Sequence, residues 1–381
     1  MKILAQRALL PDGWKFNQVI TVENDVIMSV ETGKEGDVEC AVLTPGLFDV
    51  HTHGGMGYYV TDLREEMQQK YLDDLLSHGV TDILLGTGSY AEYEGILSLC
   101  RQSMAKQKAG EKGGACIRGV HLEGPFLNPK KCGAMDPNKM PAPTKENFEA
   151  RFGAYEDMVR LVTVAPEVAG ADQLIRALLD KGFKVQMGHT CATFEEAQRA
   201  IAQGVTSLCH TFNAAPAVNH RAPGAVAAAL LDERVYCEAI CDFVHLHPGA
   251  VHMIYKMKGP DKMMLISDSA GPAGLPDGVY HLLEKDCEIR DGACYLEGTN
   301  TLTGAAVYTD QGVRNVMKLG IPSEHAFRMG SRTPALRMGF DKMGLIAPGC
   351  DGHLAAWDEE YHCVFTLVGG RLVYHGGKKD V

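Results

Sequence analysis

The sequence predicts an α/β protein: a (β/α)8 barrel of the TIM type with a small β-sandwich domain built from both chain termini. Three observations carry this expectation. Short apolar or β-rich runs recur eight times across about 220 residues, as expected of strands buried on both faces. Helical-period segments lie between many of them, the alternation of a parallel sheet with crossover helices. The two ends of the chain break this pattern and read as short strands separated by turns.

The N-terminal segments are Met1–Leu4, Gln18–Val22 and Val26–Val30, parted by turn chemistry at Pro11-Asp12-Gly13 and Glu23-Asn24-Asp25. At the other end stand His353–Trp357, Cys363–Val368 and Leu372–Tyr374, the last entered through Gly369-Gly370-Arg371. Neither set alone buries a core, so residues 1–45 and 346–381 are expected to pool into one small β-domain, with 46–345 as the barrel. The expected barrel strands are Leu47–His51, Asp82–Gly86, Ile117–Leu122, Leu161–Val164, Lys184–Met187, Thr206–Cys209, Tyr236–Ile240 and Met263–Ile266. Leu63–Ser77, Ala171–Lys181 and Phe194–Ala202 are expected helices. A doubly wound sheet is the alternative, but the first strand lacks a Gly-rich dinucleotide turn after it.

Composition narrows the function. The chain has 381 residues, 45% hydrophobic and 22% charged, an ordinary globular balance. A net charge of −11 without a basic run argues against nucleic acid or an anionic membrane as partner. No stretch approaches the roughly 20 apolar residues of a membrane span. Met1–Arg7 has no signal-peptide layout, and the 12 cysteines are scattered without a C-x-x-C pair. A reducing, cytoplasmic location is expected.

The chemistry begins at Leu47-Phe48-Asp49-Val50-His51-Thr52-His53-Gly54-Gly55. Residues i and i+2 of a strand share a face, so both imidazoles leave the strand end together, and the glycines let the backbone turn away. Two neutral imidazoles side by side begin a transition-metal site. Other strand ends carry matching groups: His121-Leu122-Glu123, Gly188-His189, Cys209-His210 and Ser267-Asp268. In a barrel these ends share one rim, where such enzymes place their active sites. Singly, Glu123 reads as a helix-capping carboxylate, His189 or His210 as a satisfied core histidine, and Asp268 as an Asx turn. Jointly, His51, His53, Glu123, His189, His210 and Asp268 are expected to converge. A Cys191–His189 nucleophile pair is the lesser reading, since no third orienting residue is evident.

Across nearly its whole length the chain resembles the N-acetylglucosamine-6-phosphate deacetylases of the amidohydrolase superfamily. The resemblance runs through Pro45–Gly54, His121-Leu122-Glu123-Gly124-Pro125-Phe126, Met187-Gly188-His189-Thr190, His210-Thr211-Phe212-Asn213-Ala214, His220-Arg221-Ala222-Pro223-Gly224 and Ile266-Ser267-Asp268. It implies a metal-dependent barrel with a small β-domain, a homodimer, and cleavage of the acetamide of an amino-sugar phosphate. By position it implies Glu123, His189 and His210 as core metal ligands, with His51 and His53 holding a second ion that Glu123 bridges. Asp268 joins them as a ligand and as the proton shuttle. One or two Zn²⁺ or Fe²⁺ ions per subunit suit such N/O donors.

The same resemblance places Asn213 and the backbone of Ala214 near the phosphate, with Arg221 as its main cationic partner through a planar fork. It has His245 reaching the phosphate of the neighbouring subunit. One departure stands out: Gly133-Ala134-Met135 falls where many relatives carry a histidine, and Met135 cannot donate that hydrogen bond. This bears on the sugar more than on the reaction. The expected substrate is N-acetylglucosamine 6-phosphate. The alternatives are the galactosamine or mannosamine epimer, another amide, or a non-catalytic barrel scaffold.

Overall fold

A computed structural model describes residues 1–282 and 286–376. Eight parallel strands follow one another around a barrel: β1 (Leu47–Thr52), β2 (Val80–Thr87), β3 (Cys116–Leu122), β4 (Val159–Val164), β5 (Lys184–Met187), β6 (Ser207–Leu208), β7 (Tyr236–Ile240) and β8 (Met263–Ile266). Each pairs with its sequence neighbour, so the doubly wound order is excluded. All eight expected strands form. The largest differences are β2, which starts at Val80, and β6, which shrinks to Ser207–Leu208.

β2 and β8 are buried along their full lengths, which explains the unbroken apolar run of β8 and the Ile83-Leu84-Leu85 centre of β2. Phe48, Val50, Leu84, Leu161, Ile240 and Ile266 pack together from five strands, joined by Ala335, Met338 and Met343. Outside, helix Ala171–Asp180 buries Ala171, Leu174, Ile175 and Leu178, one face at helical spacing. Helix Phe194–Gln203 opens on a capping box between Thr193 and Glu196, which fixes where the chain turns after His189.

The barrel closes where β8 meets β1. Asp268 N–H donates to His51 C=O at 2.8 Å, and His53 N–H donates to Ser269 C=O at 3.0 Å. The Asp49 carboxylate accepts from the N–H groups of His51 and Ser267 and from Thr309 Oγ1. The β1–β2 register shifts between Asp49 and Thr52. That shift lets Asp49 serve the seam while His51 and His53 both face the centre.

Strands from both ends share one continuous seven-stranded sheet, in the order Arg371–His375, Cys363–Val368, Leu354–Trp357, Val38–Pro45, Lys2–Leu10, Gly13–Glu23, Val26–Thr32. The sheet curls over one core: Ile3, Ile20, Ile27, Leu43, Leu354 and Phe365 form one cluster, and Val26 bridges to Asp351. Val38–Pro45, which the sequence reading missed, is the link between the two ends. It pairs in parallel with Lys2–Leu10 and antiparallel with Leu354–Trp357. Residues 377–381 of the expected terminal unit lie outside the described residues.

A second unforeseen element follows β8. Gly278–His281, Asp286–Arg290, Ala293–Leu296 and Leu302–Ala305 make a four-stranded antiparallel sheet. Its signal was Asp291-Gly292, with φ of 53° and 76° between paired Arg290 and Ala293, a two-residue hairpin turn of the kind Asp-Gly favours. Among the described residues no helix is long and apolar enough to cross a membrane.

Candidate metal centre

The carboxyl ends of β1, β3, β5, β6 and β8 bring six side chains together at the barrel mouth. Glu123 Oε1, His189 Nε2 and His210 Nε2 form one triad: each histidine nitrogen lies within 3.0 Å of the carboxylate oxygen, and the two nitrogens are 2.9 Å apart. His51 Nε2, His53 Nε2 and Asp268 Oδ1 form the other, with separations of 3.2, 3.1 and 3.5 Å. Glu123 lies between them, with Oε1 3.3 Å from His51 Nε2 and Oε2 3.3 Å from His53 Nε2.

The opposite ring nitrogens reveal what these atoms are. His189 Nδ1 donates to Lys131 C=O at 2.6 Å, His53 Nδ1 to Gly86 C=O at 3.1 Å, and His51 Nδ1 to Glu238 Oε2 at 3.0 Å. A neutral imidazole that donates through Nδ1 carries a lone pair on Nε2. Three such lone pairs and two carboxylates therefore point at one small region. Acceptors packed this way repel unless a cation lies among them. Donors arranged tetrahedrally at about 2.0–2.1 Å from a zinc-sized ion stand about 3.3 Å apart, and these separations bracket that value. The donor set fits divalent metal.

The backbone is shaped for the purpose. His189, His210 and Asp268 have φ of 46°, 22° and 50°, a left-handed region that costs non-glycine residues energy and recurs at functional sites. The local electrostatics agree. Burial works to raise the Glu123 carboxyl, but His51, His189 and His210 outweigh it and hold the group well below the usual carboxylate range. Asp268 is also held low: burial opposes, and His51 and His53 prevail. Burial disfavours a charge on His53, yet Asp268 and Glu123 push its pKa up to about 9. An extra positive charge is what this centre favours.

His121 does not join the triads. It lies beneath them, its Nε2 2.8 Å from Thr163 Oγ1 and its ring edge-on to His51 at 4.4 Å, and burial keeps it neutral. The Cys191–His189 pair also fails, because Nε2 of His189 belongs to a triad and Nδ1 is taken by Lys131. The sequence reading missed Glu238, although a lone acid inside the apolar run of β7 was its signal.

A cavity of about 570 Å³ opens above the triads, lined among others by Asn213, Ala214, His245, Met135 and Lys139. Met135, standing where many relatives were expected to carry a histidine, lines this cavity, and its Sδ accepts the N–H of Ser89 at 3.3 Å. The expected phosphate residues take different places. Arg221 is exposed on the turn Asn219–Ala222, outside this lining. His245 lines the chain's own cavity, where Asp242 Oδ2 accepts from its Nδ1 at 2.6 Å.

Residues 42–373 match the amidohydrolase family profile. The chain is 30% identical over 374 residues to an N-acetylgalactosamine-6-phosphate deacetylase of Escherichia coli O157:H7, covering 97% of this chain and 98% of the relative. It is 32% identical over 382 residues to an N-acetylglucosamine-6-phosphate deacetylase of Vibrio furnissii, covering 97% and 94%. Among solved structures, the mutant N-acetyl-D-glucosamine-6-phosphate deacetylase of Mycobacterium smegmatis in complex with N-acetyl-D-glucosamine-6-phosphate superposes with a TM-score of 0.90 at 30% identity. That match covers 98% of this chain and 99% of the other. With six ligand-type side chains at the barrel mouth and this likeness over nearly its full length, the chain belongs to the amidohydrolase family, hydrolytic enzymes acting on amides.

Proposed function

We propose that the chain hydrolyses the acetamide of N-acetylglucosamine 6-phosphate, giving glucosamine 6-phosphate and acetate. The observation that carries this is the pair of triads sharing Glu123 beneath the cavity. His51, His53, Glu123, His189, His210 and Asp268 would hold one or two divalent ions, Zn²⁺ or Fe²⁺. A divalent ion held by these residues would supply the Lewis acidity that makes water a usable nucleophile near neutral pH and polarises a carbonyl. Asp268, kept ionised, accepts the proton of the attacking water and delivers it to the leaving nitrogen, since an amine anion is a very poor leaving group.

For the phosphate, Asn213, the backbone of Ala214 and His245 are proposed to act from within the chain's own cavity. Arg221, exposed and without a side-chain partner among the described residues, is proposed to reach the cavity of a second copy in a homodimer. The twelve free cysteines support a reducing, cytoplasmic setting. Residues 1–45 with 346–381 are proposed as a folding unit beside the barrel, 46–345. A second reading is the same hydrolysis on the galactosamine epimer, favoured by the Escherichia coli relative and by Met135 in the lining.

The test is acetate release from the 6-phosphates of N-acetylglucosamine, N-acetylgalactosamine and N-acetylmannosamine, beside the unphosphorylated sugars. The enzyme is stripped of metal and reloaded with Zn²⁺ or Fe²⁺ in parallel. Release that needs metal and is fastest with the glucosamine 6-phosphate form is expected. Faster release from the galactosamine form would replace the substrate. No release from any of them by metal-loaded enzyme would overturn the proposal.

A further inference from the structure

We propose that Glu238 is a positioning residue of the metal centre, a single buried carboxylate that ties the two triads to each other. It stands in β7 between Cys237 and Ala239, fully buried. Its Oε2 accepts from His51 Nδ1 at 3.0 Å and from the backbone N–H of His210 at 3.1 Å. His51 belongs to one triad and His210 to the other. The backbone of Glu238 adds a further hold, its C=O accepting the N–H of Thr211 at 2.9 Å. One residue thus sets the ring of His51 and both sides of the strained turn at His210.

The buried Arg337 guanidinium attracts this acid, but the fold alone leaves it poorly satisfied. Its Oε1 is buried with no hydrogen-bond partner among the described residues, and a buried carboxylate with a bare oxygen disfavours the folded state. The gain lies in the site. As an acceptor on Nδ1, Glu238 fixes the tautomer that aims the His51 lone pair at the centre, the role carboxylates play behind metal-bound histidines. It also adds negative charge without taking a coordination position. Two divalent ions would bring four positive charges against the two negative charges of Glu123 and Asp268. The other group near His51 Nδ1 is Cys209 Sγ at 3.8 Å, a weak and neutral partner.

The inference rests on the reading that the triads hold metal, and the experiment separates the two. Glu238→Gln keeps a carbonyl oxygen and removes the charge; Glu238→Ala removes both. Zinc-loaded parent and variants are dialysed against chelators of graded strength and the retained zinc per chain is counted. Cobalt-substituted samples report ligand geometry through their visible absorption, and metal-free samples are melted in parallel. The expected result is zinc affinity weaker by about 10–100-fold, larger for Ala than for Gln. The cobalt spectrum should be altered and the metal-free Glu238→Gln should melt no lower than the metal-free parent. Unchanged zinc retention and cobalt spectrum in folded variants would overturn the proposal. So would a lowered melting point of metal-free Glu238→Gln with normal zinc affinity, which would make the role structural. A parent that binds no metal would instead overturn the reading beneath it.

Discussion

The Asp49 carboxylate accepts the backbone N–H of Ser267 at 3.2 Å, across the seam where β8 meets β1. Asp49 precedes His51 by two positions and Ser267 directly precedes Asp268. The contact therefore sets the spacing between two members of one triad before any side chain of the triad is considered.

This gives the first prediction. Asp49→Ala leaves the N–H groups of His51 and Ser267 and the Thr309 hydroxyl without their acceptor, and should cost about 2–4 kcal/mol of stability. Urea unfolding of the metal-free protein measures it. An unchanged midpoint would show that the seam closes without Asp49.

Asp268 lies at the edge of the centre, its side chain 14% exposed where His51 is fully buried, so one face remains open to the cavity. Asp268→Asn keeps the shape and an oxygen donor but cannot take up a proton. Turnover should fall by at least about 10²–10⁴-fold while zinc content stays near that of the parent. Retained turnover would remove the shuttle role.

Asp82 supplies a pH prediction. Burial would raise its carboxyl, but Arg118 and His353 outweigh burial and hold it well below the usual carboxylate range. A carboxylate depressed in the folded state contributes stability above its unfolded pKa, near 3.9, and loses it as pH falls towards the folded value. Asp82→Asn should therefore cost about 3–5 kcal/mol at pH 7 and flatten the fall of stability below about pH 4. Unfolding free energies at pH 7 and pH 3.5 for both proteins decide this; parallel curves would refute it.

The fourth prediction separates the two phosphate candidates. His245 faces its own cavity and Arg221 does not, so a mixture of inactive Asp268→Asn chains with Arg221→Ala chains should form active hybrids. A matching mixture of Asp268→Asn with His245→Ala should not. Acetate release from phosphorylated substrate is the readout, and equal behaviour of both mixtures would defeat the assignment.

The sequence made the barrel legible because its strands are apolar runs and its ligands fall where those runs stop. Strand ends are where a polar residue is visible against an apolar background. Asp49 and Glu238 were harder to read for the converse reason. Each sits inside a run, where an acid looks like an interruption, and its partners lie on other strands or are backbone groups. Arg221 carries the right chemistry, but a side chain's reach from a turn depends on loop geometry that no local pattern encodes. The sheet at 278–305 was missed because its strands are short and partly exposed, with weak alternation and only Asp291-Gly292 as punctuation.

The joined ends of the chain have a consequence for how the protein is made. Trp357 Nε1 donates to Thr44 Oγ1 at 2.8 Å across 313 residues of sequence, and Leu354–Trp357 borders Val38–Pro45 along its length. During synthesis the first strands leave the ribosome long before their partners exist. With synthesis at roughly 5–20 residues per second, they wait from about a quarter of a minute to a minute with an open β edge. Such an edge invites pairing with other nascent chains, so the interval between these two strands is when the polypeptide most needs a chaperone.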